Sequence, residues 1–305
     1  MQRYIIQRLG QAVLALVVIS VVVFALARVT GSPLDVLLPE EATAVDVARV
    51  EARWGLDSPI HVQYIKYMGN VLRGDFGESF RFRGQVSDMI WERLPATVQL
   101  AGFAVLISAA LALPIGIIVA VKKDTPVDTV GKIIALLGQS LPSFWLGIVL
   151  MWIFSVHLGL LPTSGRGGVS HMILPGIALG WYNVAALMRL TRSSMLEVLD
   201  TEYVKLARIK GVSEWKVIWK HCFRNALIVP LTYFGLIGAV IMTGSVVIET
   251  VFSWPGVGQL TIEALRSRDY QVVQAMVLMF ATGFLVINLL VDILYAYLDP
   301  RIRYN

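Results

Sequence analysis

The side chains with the widest chemistry in this 305-residue chain are four histidines, one cysteine and a dense run of charge, "DTEYVKLARIKGVSEWKVIWKH", from Asp200 to His221. Histidine and cysteine could hold a metal, but His61, His157, His171 and His221 are far apart and lack ligand spacing, so no metal site is expected. Cys222 is the single cysteine, which excludes an intrachain disulfide. Nucleotide chemistry would need a phosphate-cradling G-x-x-x-x-G-K-[ST], and "VGKI" at Val130 lacks both the upstream glycine and the following hydroxyl. A proton relay would need carboxylates or histidines deep in apolar segments. Asp292 and Glu249 lie near segment ends, and the deeper polar residues Gln139, Ser140, Asn183, Thr243, Ser245 and Asn288 are uncharged. No catalytic set remains, so the chain is not expected to be an enzyme or to bind a cofactor.

The charged run itself has a pattern. Tyr203, Leu206, Ala207 and Lys210 recur at helical spacing, and Glu202 and Lys205 form an i,i+3 pair. Gly211 suits the left-handed position that closes a helix. Ser213 can then cap a second helix, with Glu214 in its first turn, where a negative charge meets the positive end of the dipole. That second helix carries Trp215, Ile218, Trp219 and Cys222 as an apolar stripe and runs through Arg224 and Asn225 toward Pro230. The segment thus reads as helix, glycine turn, helix. Two roles fit it: an amphipathic pair on a lipid surface, or a dock seated in a partner's groove.

The elements that position this run are membrane spans. Apolar residues make up 56% of the chain, and its mean hydropathy is +0.69, well above the globular norm. Crossing about 30 Å of hydrocarbon takes about 20 apolar residues, and six stretches qualify: 9–27, 96–121, 133–156, 172–188, 226–248 and 272–298. The first is too long for a signal-peptide core and reads as a retained helix. Basic residues divide unevenly between the loops. Arg3, Arg8, Lys122, Lys123, Lys132, the eight Lys and Arg of 189–224, Arg301 and Arg303 fall on one side, against Arg166, Arg266 and Arg268 in the short loops of the other. The positive-inside rule then places both termini and the charged run in the cytoplasm. The net charge of +5 is accounted for by topology and implies no nucleic acid. Pro114, Pro142 and Pro230 sit in or beside spans, where each removes a backbone hydrogen bond and permits a kink. The expected organisation is an all-α polytopic protein. Residues 1–29 hold the amino terminus and first span, 30–95 form a small extracytoplasmic lobe, and 96–305 form the core with a cytoplasmic loop at 200–225.

"EYVKLARIKG" (202–211) followed by "NALIVPL" (225–231) resembles the EAA loop of ABC-importer permeases. The order of "GLDSP" (55–59), "GDFGES" (74–79), "RLTRSSMLEVL" (189–199), that loop, "FSWPGVG" (252–258), "RDYQVVQ" (268–274) and "NLLVDILYAYLDPRIRY" (288–304) is similar to the dipeptide, oligopeptide, glutathione and nickel permeases over nearly the whole chain. It departs from them after the first span, where "TGSP" (30–33) stands in place of P-G-D-P. The resemblance implies a six-helix, type I importer permease of the bacterial inner membrane. Such a subunit pairs with a second, distinct permease, two cytoplasmic ATPases that bind ATP and Mg, and a periplasmic or lipid-anchored binding protein. It implies further that Glu202, Tyr203, Ala207, Arg208, Gly211, Asn225 and Pro230 belong to the ATPase-coupling region. Gln139, Ser140, Asn183, Thr243, Ser245 and Asn288 are candidates to line the pathway or to bridge helices. The expected solute is a di- or oligopeptide, with glutathione, a nickel chelate or an oligosaccharide as alternatives. An ion-coupled secondary carrier and a membrane scaffold are the rival functions.

Overall fold

The computed structural model describes residues 2–29, 34, 38, 42–82 and 84–298. "TGSP" at 30–33 and the terminal Arg301 and Arg303 lie outside them. The described residues are helical, with an isolated bridge between Glu78 and Gln85, and the chain divides into two compact units, 1–97 with 255–305, and 98–254.

In the first unit, α1 (Gln2–Val29) packs along α12 (Tyr270–Leu298). Val13, Leu14, Val17, Val18, Val21 and Val22 of α1 are exposed, an apolar face of the kind that meets lipid or a partner helix. Two short amphipathic helices follow, α2 (Ala44–Trp54) and α3 (Ile60–Val71). Thr43 and Asp46 form a reciprocal capping box that starts α2, and Gly55, at φ 64°, ends it at the expected "GLDSP" turn. The α3 helix is pinned to α1 by Tyr64, whose hydroxyl bonds that of Ser20 at 2.8 Å, and by Gln63, whose Oε1 accepts from Arg28 Nη2 at 2.8 Å. Val86 and Ile90 form a core with Val257, Leu260 and Ala264 of α11 (Val257–Arg266) and Val272, Ala275 and Met276 of α12.

Two strings far apart in sequence meet here. The Asp269 carboxylate of "RDYQ" accepts from the Ser79 hydroxyl and from the Arg81 amide at 3.1 Å, while Ser79 Oγ accepts from the Phe82 amide at 2.7 Å. Asp269 is fully buried, so its loss strands these donors. Asp269→Ala should cost about 2–3 kcal/mol locally and make 74–86 measurably more sensitive to protease in membrane vesicles.

In the second unit α7 (Val169–Leu199) is the hub, packed by α5 (Pro126–Ser140), α6 (Ser143–Leu150) and α10 (Ile228–Val251). Small residues set the approach of these helices. A Cβ on Gly180 would lie 2.7 Å from Ser108 Oγ, and that hydroxyl donates to the Ala104 and Gly180 carbonyls at 2.7 and 3.0 Å. A Cβ on Gly138 would lie 2.7 Å from that of Ala185.

The structure corrects the expected spans in two places. The stretch 133–156 is not one helix: α5 and the helix formed by α6 and its wider, π-type continuation (Met151–His157) are bent by 106°. Leu141, held extended at φ −85°, ψ 126° ahead of Pro142, ends α5, because the proline ring disfavours helical geometry in the residue before it. The second correction concerns the expected lobe boundary at 95/96, which falls inside one 36-residue helix, α4 (Val86–Val121). Among the described residues, Ile5–Val29, Val86–Val121, Val169–Leu199 and Tyr270–Val291 are long and apolar enough to cross a membrane, and the bent pair would make one more. The expected segment 226–248 is occupied by α10, of 24 residues.

Candidate functional site

The end of α7 leads into the charged run. Thr201 Oγ1 donates to the Val198 carbonyl at 2.6 Å, turning the chain into α8 (Glu202–Ile209). Val204 is the residue α8 buries. It enters a cluster with Ile117, Ala120, Met195, Val217, Cys222 and Ala226, while Ala207 and Val212 pack at its edge. The small side chain of Ala207 lets α8 lie close on this cluster. Gly211 then reverses the chain at φ 73°, a conformation that costs a side-chain-bearing residue about 1–2 kcal/mol. The expected helix, glycine turn and helix are all present.

The second helix, α9, spans 214–226 in three pieces: Glu214–Lys216, the π-type Val217–Phe223, and Arg224–Ala226. Two expectations change here. Ser213 occupies the cap position but makes no side-chain cap bond. Glu214 instead turns back to Arg208, accepting from Nη2 at 2.7 Å and Nε at 3.2 Å, a two-pronged pair that closes the glycine turn. Ile218, Trp219 and Cys222 of the apolar stripe pack in or against the cluster as expected, but Trp215 is 69% exposed, and the fully buried residues are Val217 and Cys222. These are five apart, and the wide π turn brings positions at that spacing toward one side.

Of the seven residues assigned by resemblance to coupling, the structure joins several. Asn225 Nδ2 donates to Tyr203 Oη and to the His221 carbonyl, both at 2.9 Å, linking α9 to α8. Arg208 holds Glu214 across Gly211, and Ala207 packs beneath. Glu202 sits on the outer side, paired with Lys205 at 2.8 Å. Pro230 is buried in the first turn of α10, where its missing amide matches the break at Leu227. Glu214 was legible only as a helix start; an opposite charge six residues from Arg208 across a glycine is the signal that could have paired them.

The outer face of α8 is not purely polar. Tyr203, Leu206 and Ile209, at three-residue spacing, are 43%, 50% and 81% exposed, with Glu202, Lys205 and Arg208 among them. A short helix with a bare apolar row inside a charged ring is a surface shaped to enter a groove. Glu214 pushes the Arg208 guanidinium further up from its already high value, chiefly through the hydrogen bond. Burial pushes the Cys222 thiol up as well, so little thiolate forms near neutrality. Cys222 is also fully buried, so maleimide at pH 7 should label it far more slowly in the folded protein than after unfolding, which a time course of intact mass would read directly.

The pathway candidates separate. Asn183 and Ser245 are buried within the second unit, and Asn183 Oδ1 takes a long 3.5 Å bond from Tyr233 Oη. Gln139 Oε1 accepts from Arg189 at 3.1 Å, and Ser140, exposed, donates to the Leu136 carbonyl at 2.9 Å. Asn288 is half-buried on α12, and the Thr243 side chain lies outside the described residues. Sequence reasoning missed a further node. Asp128, fully buried at the start of α5, takes a forked pair from Arg192 at 2.7 and 2.9 Å and a third bond from Lys132 at 2.8 Å.

Comparison with known proteins gives the family of the chain. Residues 112–304 match the family described as binding-protein-dependent transport system inner membrane component. Residues 1–101 match the N-terminal family of such membrane components. The chain is 38% identical to the dipeptide transport system permease protein DppB of Alkalihalophilus pseudofirmus, with all of both chains covered. It is 42% identical, again over all of both chains, to the glutathione transport system permease protein GsiC of Salmonella typhimurium. With both family matches, and the helix, glycine turn and helix in place, the chain belongs to the inner-membrane permeases of binding-protein-dependent ABC importers and is a multi-pass transport subunit, not an enzyme.

Proposed function

We propose that this chain forms one half of the translocation pathway of an importer for small peptides or glutathione-like solutes, and that α8 is the element through which ATP hydrolysis in partner subunits drives it. A second, distinct permease completes the pathway. Two ATPases bind ATP and Mg on the cytoplasmic side, and a periplasmic or lipid-anchored binding protein delivers solute. The unequal division of basic residues supports cytoplasmic termini and an extracytoplasmic lobe at 30–95. The names of the two relatives support the solute class. Ser140, exposed, and Asn288, half-buried, keep polar surface that could meet solute.

The observation that carries the coupling role is the α8–Gly211–α9 hairpin, closed by Arg208 and Glu214, stapled by Tyr203 and Asn225, and showing Leu206 and Ile209 outward. A helix so braced moves with α9 and the end of α7 as one body, so displacement of its groove is transmitted to the spans. Deleting 202–211 should leave the protein inserted in the membrane while ATP-driven uptake falls to background and ATPases no longer co-purify. Uptake at the wild-type rate after that deletion would sink the coupling role.

A further inference from the structure

The second unit holds a cavity of about 270 Å³ between α4, α5 and α7. Its lining joins apolar side chains, among them Val119, Leu136 and Met188, to three cations, Lys132, Arg189 and Arg192. One carboxylate, Asp128, serves two of them: Arg192 takes both its oxygens, and Lys132 and the Asp124 amide share Oδ2. Among the described residues, Arg189 donates a hydrogen bond to a neutral amide, that of Gln139. Three positive charges against one negative leave the lining with a surplus. The adjoining turn, Lys122, Lys123 and Asp124, adds to it. Leu136, which lines the cavity, and its neighbour Leu137 are both exposed.

We propose that this cavity binds the headgroup of an anionic phospholipid. A lining that joins cations to apolar side chains, at the end of membrane helices where basic residues collect, is complementary to a phosphate followed by acyl chain. The volume equals that of about nine waters, room for a phosphoglycerol headgroup but not a whole lipid, whose tails would run along the face of Leu136 and Leu137. Arg189 is the residue free to meet the phosphate without unpairing Asp128.

The test uses the complete transporter in its membrane with a diazirine-bearing phosphatidylglycerol and peptide mapping of the cross-links. Wild type should be labelled within 131–139 at least about fivefold more than by the matching phosphatidylcholine probe, the factor expected for one charge-assisted phosphate contact. Arg189→Gln, which leaves the Asp128 pairs intact, should lower that labelling about fivefold. Leu136→Trp, which enlarges a lining side chain and keeps every charge, should lower it as well. Equal labelling by both lipids, or undiminished labelling of both variants, overturns the proposal. So does competition by millimolar inorganic phosphate, which would make this a site for soluble anions. A photoreactive residue at position 136 that captures a protein chain instead of lipid would also overturn it, marking a subunit interface.

Discussion

Gly211→Val is expected to reduce ATP-driven uptake at least tenfold, Gly211→Ala about fivefold, and Gly211→Asn hardly at all. Nothing lies within 4 Å of a Cβ built on Gly211, so contact cannot distinguish the three. Backbone conformation can, because φ is 73°. Alanine loses about 1–2 kcal/mol there, a factor of about five to thirty against the native turn. Valine loses more through its branched Cβ, and asparagine tolerates the left-handed region. Solute uptake into proteoliposomes, with ATPase activity measured in parallel, ranks the series. If the three variants were ordered by side-chain size instead, Gly211 would be a contact point with the groove and not a conformational hinge for α8.

The second large effect is expected at Asp128. Removing one member of a buried ion pair typically costs about 3–5 kcal/mol, and Asp128→Ala leaves Arg192, 21% exposed, without its carboxylate. The solubilised complex should lose its monodisperse peak at a clearly lower temperature. Lys132, 53% exposed, can turn its ammonium to solvent and adds little. Replacing both partners, Asp128→Ala with Arg192→Leu, should recover part of the loss, since no buried charge then remains. A double variant worse than either single one would show that the pair does not set the stability of this helix end.

The turn at Gly211 and the helices beside it could be read from the sequence because each signal is local: a glycine, a spacing, a charge. The Asp128 and Arg192 pair could not. Its members are 64 residues apart, and neither differs in its own neighbourhood from an ordinary loop charge. Asp269 and Ser79, 190 apart, escaped for the same reason, although the strings holding them were each recognisable. Spans 96–121 and 172–188 were found by apolarity, but the first began too late and the second ended too early, since α4 and α7 continue as helices through polar residues at 86–95 and 189–199. Hydropathy marks where lipid is, not where hydrogen bonding stops. Of the expected α9 stripe, Ile218, Trp219 and Cys222 do face the core, while Trp215 was misplaced and Val217 missed, because spacings of three and four presume a regular α-helix and Val217–Phe223 is wound wider.

The bend after Ser140 has one more implication, in the accounting of backbone donors and acceptors. At about 1.5 Å per residue, the 15 residues of α5 reach only about 22 Å, short of about 30 Å of hydrocarbon. Gly138 rests on Ala185, within the apolar stretch 172–188 of α7 and near its polar end, so the chain leaves helical bonding before that stretch has run out. Peptide groups at an interrupted helix have no water to turn to in lipid, and irregular backbone at such depth persists only against protein or beside an aqueous channel. Ser140 and Pro142 are exposed in the lone chain. A lone copy in a bilayer would carry that deficit uncovered, which makes solitary existence in the membrane the one state this backbone is least suited to.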